Sequence, residues 1–167
     1  MKQSTSKILT THTGSLPRTG SVAGMLEARD INGEVDPQAF ESGAEEAVAE
    51  VVSRQIAIGL DVINDGEQSK PSYATYVKDR FTGFDGQASE PPRVRLDDID
   101  FPEWAADYVG PSSNVVHRPA CNGPIAWSDW PAVGRDLDRL KKATQGREAE
   151  EAFMTSASPG VIARFLP

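Results

Sequence analysis

The sequence predicts an α/β fold built on a parallel sheet. Three observations carry this. An apolar stripe of helical period runs from Pro37 to Gly59, and the strand-like run Leu60-Asp61-Val62-Ile63-Asn64 follows it with almost no connection. Each β-prone run ends in a loop marked by glycine, proline or acidic residues. The order strand, loop, helix then recurs along the chain, as in folds that cover a parallel sheet with helices.

The elements follow in chain order. Ile8-Leu9-Thr10-Thr11 is a short β-prone run stopped by Gly14-Ser15-Leu16-Pro17. Between Pro37 and Gly59, Phe40, Ala44, Ala47, Val48, Val51, Val52 and Ile56 recur at three- and four-residue spacing, with Glu41, Glu45, Glu46, Glu50 and Arg54 opposite. Pro37 suits the first turn of that helix and Gly59 its C-terminal cap. Residues 60–64 read as a short buried strand, broken by Asp65-Gly66-Glu67, and Tyr73, Tyr76, Val77 and Phe81 suggest a second helical stripe starting near Pro71. The stretch near 83–114 is a loop or insertion, within which Arg93 to Asp100 has no clear pattern. Val115 to Arg118 and Ile125-Ala126-Trp127 are strand candidates interrupted by Pro119 and Asn122-Gly123-Pro124. A helix is expected from about Pro131 to Thr144, with Asp138 and Lys142 spaced for an ion pair. Phe153-Met154-Thr155 is a last strand candidate, and a helix begins at Gly160. About four strands result, roughly half of what a (β/α)8 barrel needs.

Composition limits the function classes. The chain has 167 residues, enough for one cored domain, and its 38% hydrophobic and 25% charged residues are those of a water-soluble globule. No apolar run approaches the roughly 20 residues that cross a bilayer, and Met1 to Lys7 has no secretory pattern, so a cytoplasmic protein away from the membrane is expected. Cys121 is the only cysteine, which rules out an intrachain disulfide. A net charge of -8 would repel a phosphate backbone, and nucleic acid is not an expected partner.

Three loops follow strand candidates at their C-terminal ends, where βα-barrel enzymes place their chemistry. In Thr11-His12-Thr13-Gly14-Ser15-Leu16-Pro17-Arg18, Gly14 allows close approach to the backbone, and the Ser15 hydroxyl with neighbouring N–H groups suits a carboxylate. In the second, Gly66 can turn Asp65 and Glu67 toward one pocket, where carboxylates suit an ammonium group. In the third, Arg118 beside His117 offers a bidentate donor. Each loop alone also reads as ordinary surface: a capped turn, a solvated acidic turn, a salt bridge. His117 and Cys121 do not make a metal site, because Pro119 interrupts any helix and two ligands are too few. Trp104, Trp127 and Trp130 are expected as core or interface anchors.

Together the loops resemble the cobalamin-independent methionine synthase family. Residues 11–18 are similar to the Gly-Ser-[Phe/Leu]-Pro-[Gln/Arg] segment that opens its catalytic barrel. Gly59 to Glu67 is similar to its Gly-Leu-Asp-Val…Gly-Glu segment, and Tyr76-Val77…Gly83-Phe84 to its Glu-Tyr-Phe…Gly-Tyr stretch. Arg118-Pro119 with Gly123-Pro124-Ile125 is similar to its Arg-Pro…Gly-Pro-[Val/Ile]. The resemblance implies a (β/α)8 TIM barrel, of which residues 1–167 would hold about the first half. It also implies methyl transfer from a methyltetrahydrofolate to homocysteine or a related thiol, with Thr13, Gly14, Ser15 and Glu67 binding the amino acid and His12, Asp65 and Arg118 as further contacts. The family's zinc ligands have no counterparts here, so no metal ligand is assigned and no catalytic residue either. A half-barrel would pair with itself or with a complementary half. The segment departs from better-known members at Thr13 and at Val115-Val116, which leaves open a related barrel enzyme for another thiol or a tetrapyrrole, or a non-catalytic remnant.

Overall fold

Helix α2 (Pro37–Ala57) organises the molecule, a computed structural model that describes residues 2–18, 20–72, 75–87, 96–108 and 119–165. The Asp36 side chain caps its start by accepting from the Gln38 N–H at 3.0 Å, and Pro37 occupies the first turn. At its end the Leu60 N–H donates to the Gln55 carbonyl and the Gly59 N–H to that of Ile56, a Schellman pattern with Gly59 at φ 84°. The chain therefore turns straight into β1 (Val62–Asn64), as the sequence pattern anticipates.

Two cores line the apolar stripe of α2. Phe40, Ala44 and Ala47 pack on Val22 and Leu26 of α1 (Val22–Asn32), a helix the sequence pattern did not single out. Val48 and Val52 pack on Ile63 of β1 and on Leu140 and Ala143 of α5 (Trp130–Thr144). The polar edge of the same contact joins Glu41 to Arg139 and Glu45 to Lys142, so Lys142 reaches across to α2. Helix α5 is capped by Asp129, whose side chain accepts from the Ala132 N–H at 3.1 Å.

β1 pairs in parallel with β4 (Glu151–Phe153) in the register Val62 to Glu151, Ile63 to Ala152 and Asn64 to Phe153. On its other side Thr11 makes a parallel bridge to Val62, and the Thr10 carbonyl accepts from the Asp61 and Val62 N–H groups. Three adjacent parallel segments thus run in chain order through the sheet, with α2 and α5 in the connections, which is how a βα-barrel begins. The expectation of about four parallel strands needs correction. Residues 125–127 do not join the sheet: Trp127 makes an antiparallel bridge to Phe81. Nearby, β2 (Gly86–Gln87) and β3 (Pro119–Ala120) form a separate antiparallel pair. Proline confines such segments to edges. Close backbone approach also holds this arm together, since a Cβ on Gly83 would lie 2.7 Å from the Gly123 carbonyl oxygen.

The second helical stripe becomes a 3-10 helix, Thr75–Asp79, rather than an α-helix, because Phe81 is drawn into the bridge with Trp127 one turn later. Val77 of this helix and Phe84 beyond it form one small buried cluster, with Ala157 and Ile162 packed against it. Within the stretch expected as loop or insertion near 83–114 lie two short helices, α3 (Leu96–Asp100), in the part that had no clear pattern, and α4 (Pro102–Tyr108), and α6 (Pro159–Phe165) follows β4. The tryptophans are not core: Trp104, Trp127 and Trp130 are 46%, 52% and 62% exposed, Trp127 stacking on Phe81 and meeting Trp130 edge-on. The strand expected at 115–118 lies outside the described residues. No described helix is long and apolar enough to cross a membrane.

Candidate functional site

The loops that leave the C-terminal ends of the three parallel segments converge on Glu67. Their placement starts from Gln55 of α2, whose side chain acts as a substitute strand. Its Nε2 donates to the Asn64 carbonyl at 2.8 Å and its Oε1 accepts from the Asn64 N–H at 3.1 Å. Asn64 then shapes both neighbouring loops, accepting from the Gly66 N–H at 2.8 Å and donating to the His12 carbonyl at 2.7 Å.

The turn Asp65-Gly66-Glu67-Gln68 closes through the Gln68 N–H on the Asp65 carbonyl, and both central residues have positive φ, 59° at Gly66 and 56° at Glu67. Glycine suits position 66 on two counts, its positive φ and the side chain of Leu16, which would lie 3.1 Å from a Cβ there and would have to shift. Glu67 is the only non-glycine with positive φ among the described residues. Left-handed backbone at such a residue costs on the order of 1 kcal/mol and persists where surroundings enforce it, often at functional sites.

Those surroundings are specific. The Ser15 hydroxyl donates to Glu67 Oε2 at 2.5 Å, and the Thr155 hydroxyl, just past β4, donates to Oε1 at 2.8 Å. Glu67 is 2% exposed. Beneath it, Asp65 accepts from the Glu67 N–H at 3.1 Å and faces the buried Lys70 ammonium at 3.7 Å. Burial raises the Asp65 pKa above its ordinary value, and Lys70 opposes that rise. Lys70 Nζ in turn donates to the Thr155 carbonyl at 3.0 Å and sits 5.2 Å over the Tyr76 ring. Arg18 donates from Nε to the Lys70 carbonyl at 3.0 Å and from Nη2 to that of Pro71 at 3.1 Å. Its partial burial lowers its pKa, against the charge of Glu67.

Of the residues singled out from sequence, Ser15 and Glu67 are in direct contact, and Gly14 lies next to them with φ 97° and open space where a Cβ would point. Thr13 is exposed on the same loop, and His12 is half-buried with Nε2 3.1 Å from the Gly14 carbonyl oxygen. Asp65 has its own partners, Lys70 and the Glu67 N–H, so the two carboxylates of the acidic turn are separately engaged. Arg118 and His117 lie outside the described residues. Sequence reasoning missed Thr155 and Lys70, although Thr155 ends a predicted strand, the position from which such sites are built.

A second polar cluster braces this face. Asp136 of α5, 5% exposed, accepts from Ser69 at 2.9 Å, Arg80 at 2.8 Å and Arg139 at 2.7 Å, tying α5 to the loop that carries Glu67. It walls a cleft of about 240 Å³ between α2, α5 and the 3-10 helix. No group of three or more His, Cys, Asp or Glu side chains suited to a metal occurs among the described residues, and Cys121 is exposed.

The chain is similar to known proteins in sequence and in fold. The chain is 27% identical to the 5-methyltetrahydropteroyltriglutamate–homocysteine methyltransferase of Aeromonas salmonicida, over 81% of the chain and 20% of that protein. It is likewise 27% identical to the one from Nitratidesulfovibrio vulgaris, over 92% and 22%. The chain therefore spans about a fifth of the length of these relatives. Its fold matches a B12-independent methionine synthase from Shewanella sp. W3-18-1, solved with selenomethionine, at a TM-score of 0.60 and 18% identity, covering 94% of this chain and 40% of that one. Residues 8–156, which hold all three converging loops, match the catalytic domain of the cobalamin-independent synthases, and the chain belongs to that family.

Proposed function

We propose that this chain carries the amino-acid-binding part of a methyl-transfer site, with homocysteine or a related thiol as its ligand and a methyltetrahydrofolate as the methyl donor. The observation that carries the reading is the convergence of three loops on one buried, conformationally restricted carboxylate, Glu67. A carboxylate shielded from water attracts an ammonium more strongly than a solvated one. The Thr13-Gly14-Ser15 loop beside it supplies backbone N–H groups and a hydroxyl suited to the ligand's carboxylate, with Gly14 leaving room for approach. His12 and Asp65 act by holding the two loops, and Arg118 remains a candidate contact.

In the family, zinc makes the thiol nucleophilic at neutral pH. The described residues do not fit that metal, since they contain no cluster of ligands for it. What these residues supply is orientation: they fix the amino and carboxylate ends of the ligand and so aim its side chain. The sheet supports a partial barrel reading, because the Thr11 segment and β4 are each paired on one side only among the described residues. A second copy or a complementary barrel part would cover those edges. The reading is that of a cytoplasmic protein of methionine biosynthesis, and its relatives' names, homocysteine methyltransferases, support the reaction class.

Calorimetric titration of the chain with L-homocysteine tests the reading. Glu67→Gln removes one charge-assisted contact and should weaken binding by about 10- to 100-fold. Equal affinity in both proteins would overturn it.

A further inference from the structure

The Ser15 hydroxyl carries one proton, and here that proton goes to Glu67. An amino acid bound as proposed above claims the same proton for its own carboxylate, while its ammonium claims Glu67. The Ser15–Glu67 bond must therefore be surrendered as the ligand enters. At that moment the one hydrogen bond to the Glu67 side chain that remains among the described residues is the one from Thr155.

We propose that Thr155 is a positioning residue, which keeps the Glu67 carboxylate aimed while the Ser15 hydroxyl is handed over to the ligand. The inference rests on the reading of Glu67 as the ammonium acceptor and adds to it a residue from the third loop. Thr155 is suited to this by its own anchorage. The strand register pairs Phe153 with Asn64, so two residues further on Thr155 stands level with the turn that carries Glu67. Its carbonyl is held by Lys70, which is 3% exposed and confined by Asp65 and Tyr76. The next residue is held as well, with Ser156 Oγ 3.3 Å from the Tyr76 hydroxyl. A hydroxyl on backbone fixed in this way can hold an acceptor at low entropic cost. The Glu67 side chain, by contrast, has three rotatable bonds and a backbone in a sparsely populated region.

The test compares two ligands on the whole 167-residue chain: L-homocysteine, and 4-mercaptobutanoate, which lacks the amine. The ratio of their dissociation constants reads the ammonium contact alone, so a general loss of stability does not move it. In the unaltered chain the amine should improve binding tenfold or more, about the value of one charge-assisted hydrogen bond. Thr155→Val keeps shape and loses the hydroxyl, and it should shrink that ratio about fivefold; Thr155→Ser should restore it. Thr155 is only half-buried, and Thr155→Ala gives the same comparison if valine disturbs folding by circular dichroism. An unchanged ratio in the valine or alanine variant overturns the role of Thr155 and leaves the Glu67 reading intact. If the unaltered chain binds both ligands equally, the Glu67 reading fails and takes this proposal with it.

Discussion

Replacing Asp136 with alanine should cost this fold more than any surface change. Its carboxylate is 5% exposed and accepts three hydrogen bonds, two of them from the guanidinium groups of Arg80 and Arg139, whose side chains are 12% and 9% exposed. Removing one partner of a buried charge pair costs about 3–5 kcal/mol, mostly because the other charge stays buried. Two features decide where in that range the value falls. Arg139 keeps Glu41, so its charge is still answered. Arg80 already has a buried Nη1 with no partner among the described residues, and it would lose its ion pair as well. The cleft beside them admits water, which favours the lower end, about 3 kcal/mol. For a domain of this size that corresponds to a fall in Tm of about 6–12 °C. Thermal and urea unfolding of Asp136→Ala should show it, with Asp138→Ala, exposed two residues along the same helix, changing stability by less than about 0.5 kcal/mol. A loss below about 1 kcal/mol for Asp136→Ala would refute the reasoning, since it would mean that the two arginines find other partners at no cost.

Two further outcomes are expected. The Asp61 carboxylate, held first by the Lys7 ammonium at 2.5 Å and then by the N–H and hydroxyl of Thr10, is depressed from the ordinary 3.8 to about 2. Because the folded value is the lower one, its stabilising contribution is full above about pH 4 and is lost as the pH falls toward 2; carbon-detected NMR should give a midpoint near 2, and one near 3.8 would show that the Lys7–Thr10 clamp is absent in solution. The two sheet edges that are singly paired among the described residues should drive association, so light scattering at micromolar concentration should report a dimer or larger species, and a monomer that unfolds cooperatively would count against the partial-barrel reading.

What could be read from the sequence depended on how strongly each segment states its period. Helix α2 carries seven apolar positions at helical spacing, together with a capping residue and Gly59, and it lies where the pattern put it. Helix α1 states its period weakly: its apolar stripe of Val22, Met25 and Leu26 is short and interrupted by Gly24, and it is held by α2 rather than by its own propensity. The helical stripe ending at Phe81 and the strand candidate at 125–127 were legible, but the 3-10 form and the antiparallel arm were not, because they are decided by the Phe81–Trp127 pairing, a contact between segments more than forty residues apart. Local pattern carries no information about such a partner.

The same distinction separates the parts of the site. The acidic turn and the Gly-Ser loop are local motifs, and each contains a residue type whose chemistry is visible in isolation. Thr155 is an ordinary threonine in sequence. Its importance arises from register, because in a parallel pair a shift of one residue would turn its hydroxyl to the opposite face of the sheet and leave Glu67 without its second donor. Register here is set by packing at a distance: Ile63 on β1 is buried against Val48 and Val52 of α2 and Leu140 of α5, and it fits that core only when β1 presents its alternate face. The apolar stripe of α2 therefore fixes the orientation of β1, β1 fixes the register of β4, and β4 delivers Thr155 to Glu67. A polar contact at the site is in this way the consequence of apolar contacts on the far side of the sheet, which is why changes in the α2–α5 core should alter ligand binding even where no ligand touches it.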